Sequence, residues 1–391
     1  SGIKNFKFEQ FETPKLKDVS SMFALACDIT SFKLNGLDIS NVVDMSHFLE
    51  FAFSLKEFDD TGFDKATKVE NMANMFNGLT SIETLTLTNL QTSNVKDMSY
   101  MFGNLLQCTS IDISKFNTQN VESMFKMFSG SYLLEVIDYS NFDMKKVTNV
   151  TGMFEFCSGL TSIDFQPFRT GKVKINNANR LFAYCSGLYE IDLTDVDFSE
   201  NTDMSEMFLE CTNLEIIKWG KINTANVKDM SKMFSECTLL NSVELSSFNT
   251  ENVEDMNSMF QDCSNLKEIN LKSFKTDNVK NMSRMFEGCT DLSSLDLSSF
   301  NTKNVEDMYK MFEFTRLTNL DLSNFETPKV TNMEDMFSEM KNLRKLNIEK
   351  FDTSKVTTMG GMFYLNERLG DINFPRGFKT NNVVDFQFMF L

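Results

Sequence analysis

Four aspartates, Asp112, Asp138, Asp164 and Asp192, recur at intervals of 26, 26 and 28 residues. Carboxylates in a set can act as general acid and base, hold a hard cation, or draw a basic partner. Acid–base work needs a pocket that retunes one of a pair, and these four do not promise one. Ile111 and Ile113 flank Asp112 in strict alternation, the mark of an outward-facing strand residue. Lys218 and Glu244 continue the same column in the next two copies of the pattern. In adjacent strands the aspartates repel one another by roughly 0.8 kcal/mol per pair in bulk-water dielectric, so they must be solvated or neutralised. Three readings stand: a hydrated strand surface, a docking strip for a basic partner, or a cation site.

A second set breaks the pattern between residues 166 and 221, where Arg169, Lys172, Lys174, Arg180, Tyr184, Tyr189, Lys218 and Lys221 bring cationic and aromatic groups into an acidic chain. Two residues are added before Leu181, Asn201 stands where Val is usual, and the strand reads IIKWGK. Broken consensus in an array is a place for recognition, although drift explains the same residues. Trp219 falls in an inward column and is expected to pack. Lys172, Lys174, Arg180 and Tyr189, with the acidic column, are the candidate ligand-binding residues.

Other reactive groups read as structural. Cys157, Cys185, Cys211, Cys237, Cys263 and Cys289 each stand three residues after a recurrent Phe. Side chains in one column point the same way and do not converge as a disulfide requires. A line of thiols is also no tetrahedral zinc set, and buried reduced thiols are expected. The single His47 takes the place of a repeat Met beside Phe48, and no Ser/His/Asp or Cys/His set can be built around it. Glycine is only 16 of 391 residues and no phosphate-binding glycine loop is present. The expectation is no enzyme, no cofactor and no metal.

What must position these columns is a repeat. A Phe closes the same phrase at Phe23, Phe48, Phe76, Phe102 and onward to Phe390, 15 times, with nine of the 14 intervals equal to 26. The phrase has two halves. In the copy from 292, Leu292, Leu295 and Leu297 alternate with Asp296 and Ser298 and predict a short strand. Asn304 then reads as an N-cap with Asp307 as its capping-box partner, and Val305, Met308, Met311 and Phe312 follow at helical spacing. Neither half can bury its apolar side alone, so copies must stack, with parallel strands and right-handed crossovers. A second Phe column (Phe116, Phe248, Phe274, Phe300) precedes a Thr column (Thr118, Thr250, Thr276, Thr302), whose hydroxyls can satisfy loop amides that no sheet ladder reaches.

The phrase LSSFNTENVEDMNSMFQDCSNL, residues 245 to 266, resembles the repeat of BspA-like leucine-rich-repeat surface proteins, and the resemblance spans nearly the whole chain. It implies a curved right-handed solenoid displayed outside the cell, in a family associated with adhesion to host matrix proteins or to other cells. The scaffold defines that family, and no single ligand is implied.

Net charge is 38 − 55 = −17, which disfavours nucleic acid and anionic membrane surfaces. No run of about 18 apolar residues suggests membrane insertion, and no charged-then-apolar leader opens the chain. The fold expected is therefore an α/β repeat: one leucine-rich-repeat-like solenoid over residues 1–391, of about 15 units, each a short parallel β-strand plus a short helix or 3-10 turn. It is irregular at 166–221 and lacks complete end caps. The last rung, with Phe386, Phe388, Met389 and Phe390, suggests end-to-end self-association. The function expected is a non-catalytic, surface-displayed or secreted module that binds host matrix or cell-surface protein through its strand face. A spacer or surface-coat role is the alternative; varied outward residues such as Val136, Glu190, Ile216, Lys345 and Asp371 favour recognition.

Overall fold

The structure is a computed structural model that describes residues 8, 11–34, 36–171, 173–370 and 372–391. Two compact units divide the chain, Ser1–Asp197 and Phe198–Leu391. In the first, β1 (Ser31–Lys33) pairs in parallel with β2 (Glu57–Asp59), and β3 (Thr84–Thr86), β4 (Ser110–Asp112) and β5 (Val136–Asp138) form a parallel three-stranded sheet. The unit also holds α1 (Gln166–Gly171) and β6 (Glu190–Asp192). In the second, β7 (Ile216–Lys218) is followed by β8 (Asn319–Asp321), which pairs in parallel with β9 (Lys345–Asn347). Strand pairs keep the repeat register, Leu85 opposite Ile111 and Ile111 opposite Ile137. Parallel stacking of the LxxLDL phrase is thus observed.

The second half of the phrase is not a helix. Along Met308–Thr315, alternate amides reach the next copy: Met308 N–H donates to Asn332 O at 3.1 Å, Lys310 to Glu334 O at 3.0 Å, Phe312 to Met336 O at 3.0 Å and Phe314 to Ser338 O at 3.1 Å. The amides between them close turns, Met311 to Met308 O, Glu313 to Lys310 O and Thr315 to Phe312 O. Lys310 (φ 53°) and Phe314 (φ 60°) are left-handed, and the same two positions are left-handed in copy after copy, as at Lys232 and Glu236 or Arg180 and Tyr184. A left-handed residue every fourth position turns successive peptides so that half the N–H groups lie along the stack. An α-helix would keep all of them inside its own segment. Each such L residue costs about 1–2 kcal/mol, offset by the inter-copy bonds at about 1 kcal/mol each and by the packing they allow.

The capping box is replaced accordingly. Asp307 Oδ1 accepts the Tyr309 amide at 2.8 Å, two residues on, and Asn304 Nδ2 donates to Asp277 O of the preceding copy at 2.7 Å. Asp307 and its equivalents also form a column of parallel bridges, Asp18 to Asn177 in the first unit and Asp203 to Asp385 in the second. The helix or 3-10 turn expected in each of about 15 units therefore does not form: among the described residues nine strands are present, fewer than the units expected, and helix is confined to α1 and a 3-10 turn at Phe63–Lys65.

His47 is also re-placed. Phe23 N–H donates to Phe48 O while Leu49 N–H donates to Met75 O, which puts Phe48 in the Met column and Leu49 in the Phe column. His47 consequently occupies a left-handed turn position (φ 57°) with Nδ1 2.7 Å from Glu50 Oε2.

Apolar columns fill the interior as expected. Phe286, Phe312 and Phe337 are fully buried and stack at 5.9 and 5.8 Å with near-parallel rings. Buried Thr250 donates to Lys275 O at 2.9 Å and accepts the Lys275 amide at 2.8 Å, a pairing repeated by Thr118 with Asp143 and Thr276 with Asn301. The Phe column beside the strands is more widely spaced in both units, with Phe116–Phe142 6.4 Å apart in the first and Phe274–Phe300 and Phe300–Phe325 both 6.5 Å apart in the second. In the second unit no backbone bond joins Val243–Leu245, Ile269–Leu271 and Leu295–Leu297 to one another.

Gly288 tests the left-handed turn directly. It has φ +70°, and a Cβ there would lie 2.1 Å from Asp262 Oδ1 of the preceding copy. Gly288→Ala is expected to lose about 1–2 kcal/mol in denaturant unfolding, whereas Gly370→Ala, which meets nothing within 4 Å, should stay within about 0.5 kcal/mol of the parent. Equal stability of the two variants would contradict the turn geometry.

Candidate functional site

The outward strand column is built by turn chemistry as much as by exposure. Asp112 ends β4 and Asp138 ends β5, directly opposite each other. Each carboxylate accepts the amide two residues on: Asp112 from Ser114 at 3.1 Å, Asp138 from Ser140 at 3.1 Å, Asp164 from Gln166 at 2.8 Å and Asp192 from Thr194 at 2.9 Å. A side-chain oxygen that reaches the amide two residues on closes a turn at that position, most directly from Asp or Asn, so the acceptors of this column close the strand ends. Hydrogen bonds from the Ser140 side chain and amide hold the Asp138 carboxyl below its ordinary range. Asp112, Asp138 and Asp164 remain exposed, whereas Asp192 is half-buried with Arg169 Nη2 3.2 Å from its Oδ1. In the second unit Lys218 ends β7 exposed, and Glu244 accepts the Ser246 amide at 2.7 Å.

The cationic and aromatic set falls on several edges. Arg169 lies on α1 and donates to Asp192 O at 2.6 Å. Lys174 is exposed and bridges in parallel to Asp197. Arg180 sits on the turn ridge formed by the left-handed residues, its Nε 2.5 Å from Glu155 Oε1, with Lys126 Nζ 2.8 Å from the other oxygen of that buried carboxylate. Its guanidinium lies over the Tyr184 ring, which stacks on Phe156 at 4.1 Å. Tyr189 is exposed just before β6. Arg169 and Arg180 thus serve different carboxylates, and Lys172 lies outside the described residues. Trp219 is buried edge-on against Phe208, Phe234 and Phe248.

The cysteine ladder is structural. Cys157, Cys185, Cys237, Cys263 and Cys289 are buried and free, and each thiol donates to the Phe carbonyl one copy back at 3.0–3.2 Å. Burial pushes these thiols up, Cys185 to about 12. Among the described residues no group of three or more His, Cys, Asp or Glu could hold a metal ion, and no helix is long and apolar enough to cross a membrane.

Sequence reasoning missed the turn ridge because its residues fit a helical pattern. Glu210, Glu236 and Asp262 hold its left-handed positions in consecutive copies. Glycine at Gly78, Gly130 and Gly288, two residues after the core Phe, was the available signal. It also missed a hollow of about 610 Å3 on the strand side, lined by Val243 and Glu244, Glu268 to Lys272, and Leu295 and Asp296.

A family model described as Mycoplasma protein of unknown function, DUF285, matches residues 2–85, 52–163, 106–219, 202–325 and 308–391. No curated protein matches the chain. Among solved structures it is similar to a leucine-rich repeat protein from Bacteroides ovatus (16% identity, 85% of this chain and 76% of that chain, TM-score 0.43). It is similar also to a leucine rich cell surface protein from Faecalibacterium prausnitzii (13% identity, 70% and 78%, TM-score 0.29) and a leucine-rich repeat protein from Eubacterium ventriosum (14% identity, 72% and 69%, TM-score 0.33).

The ridge of the second unit makes stability depend on pH. Burial, with Asp335 and Glu287 adding to it, pushes the Glu313 carboxyl up to about 7 against the pull of Lys310 at 2.8 Å. Glu236, Asp262 and Asp335 are raised as well, burial first in each case. A carboxyl raised on folding adds stability below its unfolded pKa and loses it as pH rises through the folded value. Asp296 and Asp352, held low by the hydrogen bonds of Ser298 and Ser354, act oppositely and lose their contribution as pH falls through the carboxylate range. Melting temperature is therefore expected to rise as pH falls from 8 to about 5, and to fall again only once pH drops below the ordinary carboxylate range, where Asp296 and Asp352 are protonated. Glu313→Gln should remove on the order of 1 kcal/mol of the rise, after allowance for solvent screening. Melting curves that fall steadily from pH 8 to pH 5 would contradict this assignment.

Proposed function

The chain belongs to the family described as Mycoplasma protein of unknown function, DUF285, whose repeats match it from residue 2 to residue 391, and from that premise we propose that it is a non-catalytic protein-binding scaffold, displayed on the cell surface or secreted. Its strand face docks the partner, and an adhesin acting on host matrix or cell-surface protein is the form this takes. Residues 1–391 act in this role as one repeat domain. The resemblance of residues 245–266 to BspA-like surface repeats supports the adhesin reading.

The observation that carries it is the mixed character of the exposed strand face. The turn-closing role of Asp112, Asp138 and Asp164 uses one carboxylate oxygen each and would be served equally by Asn, as it is at Asn270 and Asn347. Charge at these positions is therefore surplus to the fold, and it repels itself. Beside it the face exposes apolar side chains at Val136 (65%) and Tyr189 (47%), contact area that a protein partner would cover. The exposure of Asp112, Asp138 and Asp164 on open strands, and the contact of His47, the one His of the sequence, with Glu50, support a non-catalytic role.

Changing Asp112, Asp138, Asp164 and Asp192 to Asn together is expected to leave the melting temperature within a few degrees, because Asn preserves each turn. Association with immobilised matrix proteins should slow, and its on-rate should lose most of its salt dependence. An unchanged on-rate, or failure of the parent protein to bind any matrix or cell-surface protein, would contradict the docking role and leave the spacer.

A further inference from the structure

We propose that the strand-side hollow of the second unit, between Val243 and Asp296, seats an arginine side chain carried on an extended segment of the partner; this rests on the strand face being the docking face. The main chain there differs from every paired strand. Val243–Leu245, Ile269–Leu271 and Leu295–Leu297 alternate in exposure as strands do, yet have no ladder bonds between them, whereas Leu85, Ile111 and Leu320, which stand at the repeat position of Val243, Ile269 and Leu295, are the centres of paired strands in β3–β5 and β8–β9. The last carbonyl of each segment, at Leu245, Leu271 and Leu297, keeps its donors, from the Phe amide three residues on and from a Ser or Asn side chain of the next copy. The carbonyls before them, at Val243, Glu244, Ile269, Asn270, Leu295 and Asp296, have no protein donor among the described residues and are open to one from a ligand.

Side chains complete the chemistry. Glu244, Glu268 and Asp296 are exposed around the hollow, and its cation Lys272 is 3.7 Å from Asp296, so the excess is negative. Ile269 and Leu295 are part-exposed within it. A ligand that fits must bring positive charge, an aliphatic stem for the apolar floor, and several donors in one plane for carboxylates and carbonyls on neighbouring segments. Arginine has all three; lysine offers a compact point charge.

Fluorescence anisotropy with a labelled glycine-spaced arginine peptide and the whole chain tests this. A Glu244→Gln, Glu268→Gln, Asp296→Asn variant is expected to raise Kd at least tenfold, and an Asp112→Asn, Asp138→Asn, Asp164→Asn variant, which removes the same charge, less than twofold. Both keep the turn-closing acceptors, and unchanged far-ultraviolet circular dichroism confirms folding. A glycine-spaced lysine peptide should bind the parent at least fivefold more weakly. As a readout free of substitutions, amide exchange at Val243, Ile269 and Leu295 should slow when the arginine peptide binds. Equal weakening by both variants, equal binding of the lysine peptide, or no slowing would overturn the proposal. If matrix-protein binding responds to the first-unit variant alone, the arginine seat falls while the strand-face reading stands; if it responds to neither, both fall.

Discussion

Everything in this architecture depends on one requirement: in the Met-Phe segment, every second amide must find its acceptor in the next copy. The pattern at Met308, Lys310, Phe312 and Phe314 meets it only because two residues per copy are left-handed. That geometry sets the spacing at which the rings of Phe286, Phe312 and Phe337 stack. It also brings Thr and Asn side chains into reach of the main chain one copy away, as Thr276 reaches Asn301 and Asn278 reaches Glu251. Met and Phe recur because a stack with fixed translation needs the same shape at the same height in each layer.

The strand side is subordinate to this. Ladder bonds form at β3–β5 and β8–β9, and are absent from Val243 to Leu297, while the turn column runs through each unit. A side whose own bonding is optional can carry variable residues at little cost. This is the physical reason to seek recognition there, and it also explains why Asp, Asn and Glu alternate in a column whose fixed duty is to close a turn.

The period, the parallel stacking, the inward Phe and Thr columns and the buried cysteines were legible because each rests on identity repeated at fixed spacing. The turn half was not. Val305, Met308, Met311 and Phe312 fit a helical period, and no local preference marks Lys310 or Phe314 as left-handed, since the energy that holds them so comes from neighbouring copies. The register at His47 was misread for a related reason: Phe48 and Leu49 are both acceptable core residues, and only the hydrogen bonds of Phe23 and Leu49 decide between them. At the candidate site, the exposure of Asp112, Asp138 and Asp164 followed from alternation, but their turn bonds and the pairing of Asp192 with Arg169 depend on contacts that spacing alone does not reveal.

Residue-resolved amide hydrogen exchange on the intact chain tests the central requirement most directly. The account predicts strong protection at Met308, Lys310, Phe312 and Phe314, whose N–H groups bond to the next copy, and fast exchange at Val243, Ile269 and Leu295, which have no backbone acceptor. Protection concentrated in the strand amides, with the Met-Phe segment exchanging freely, would contradict it.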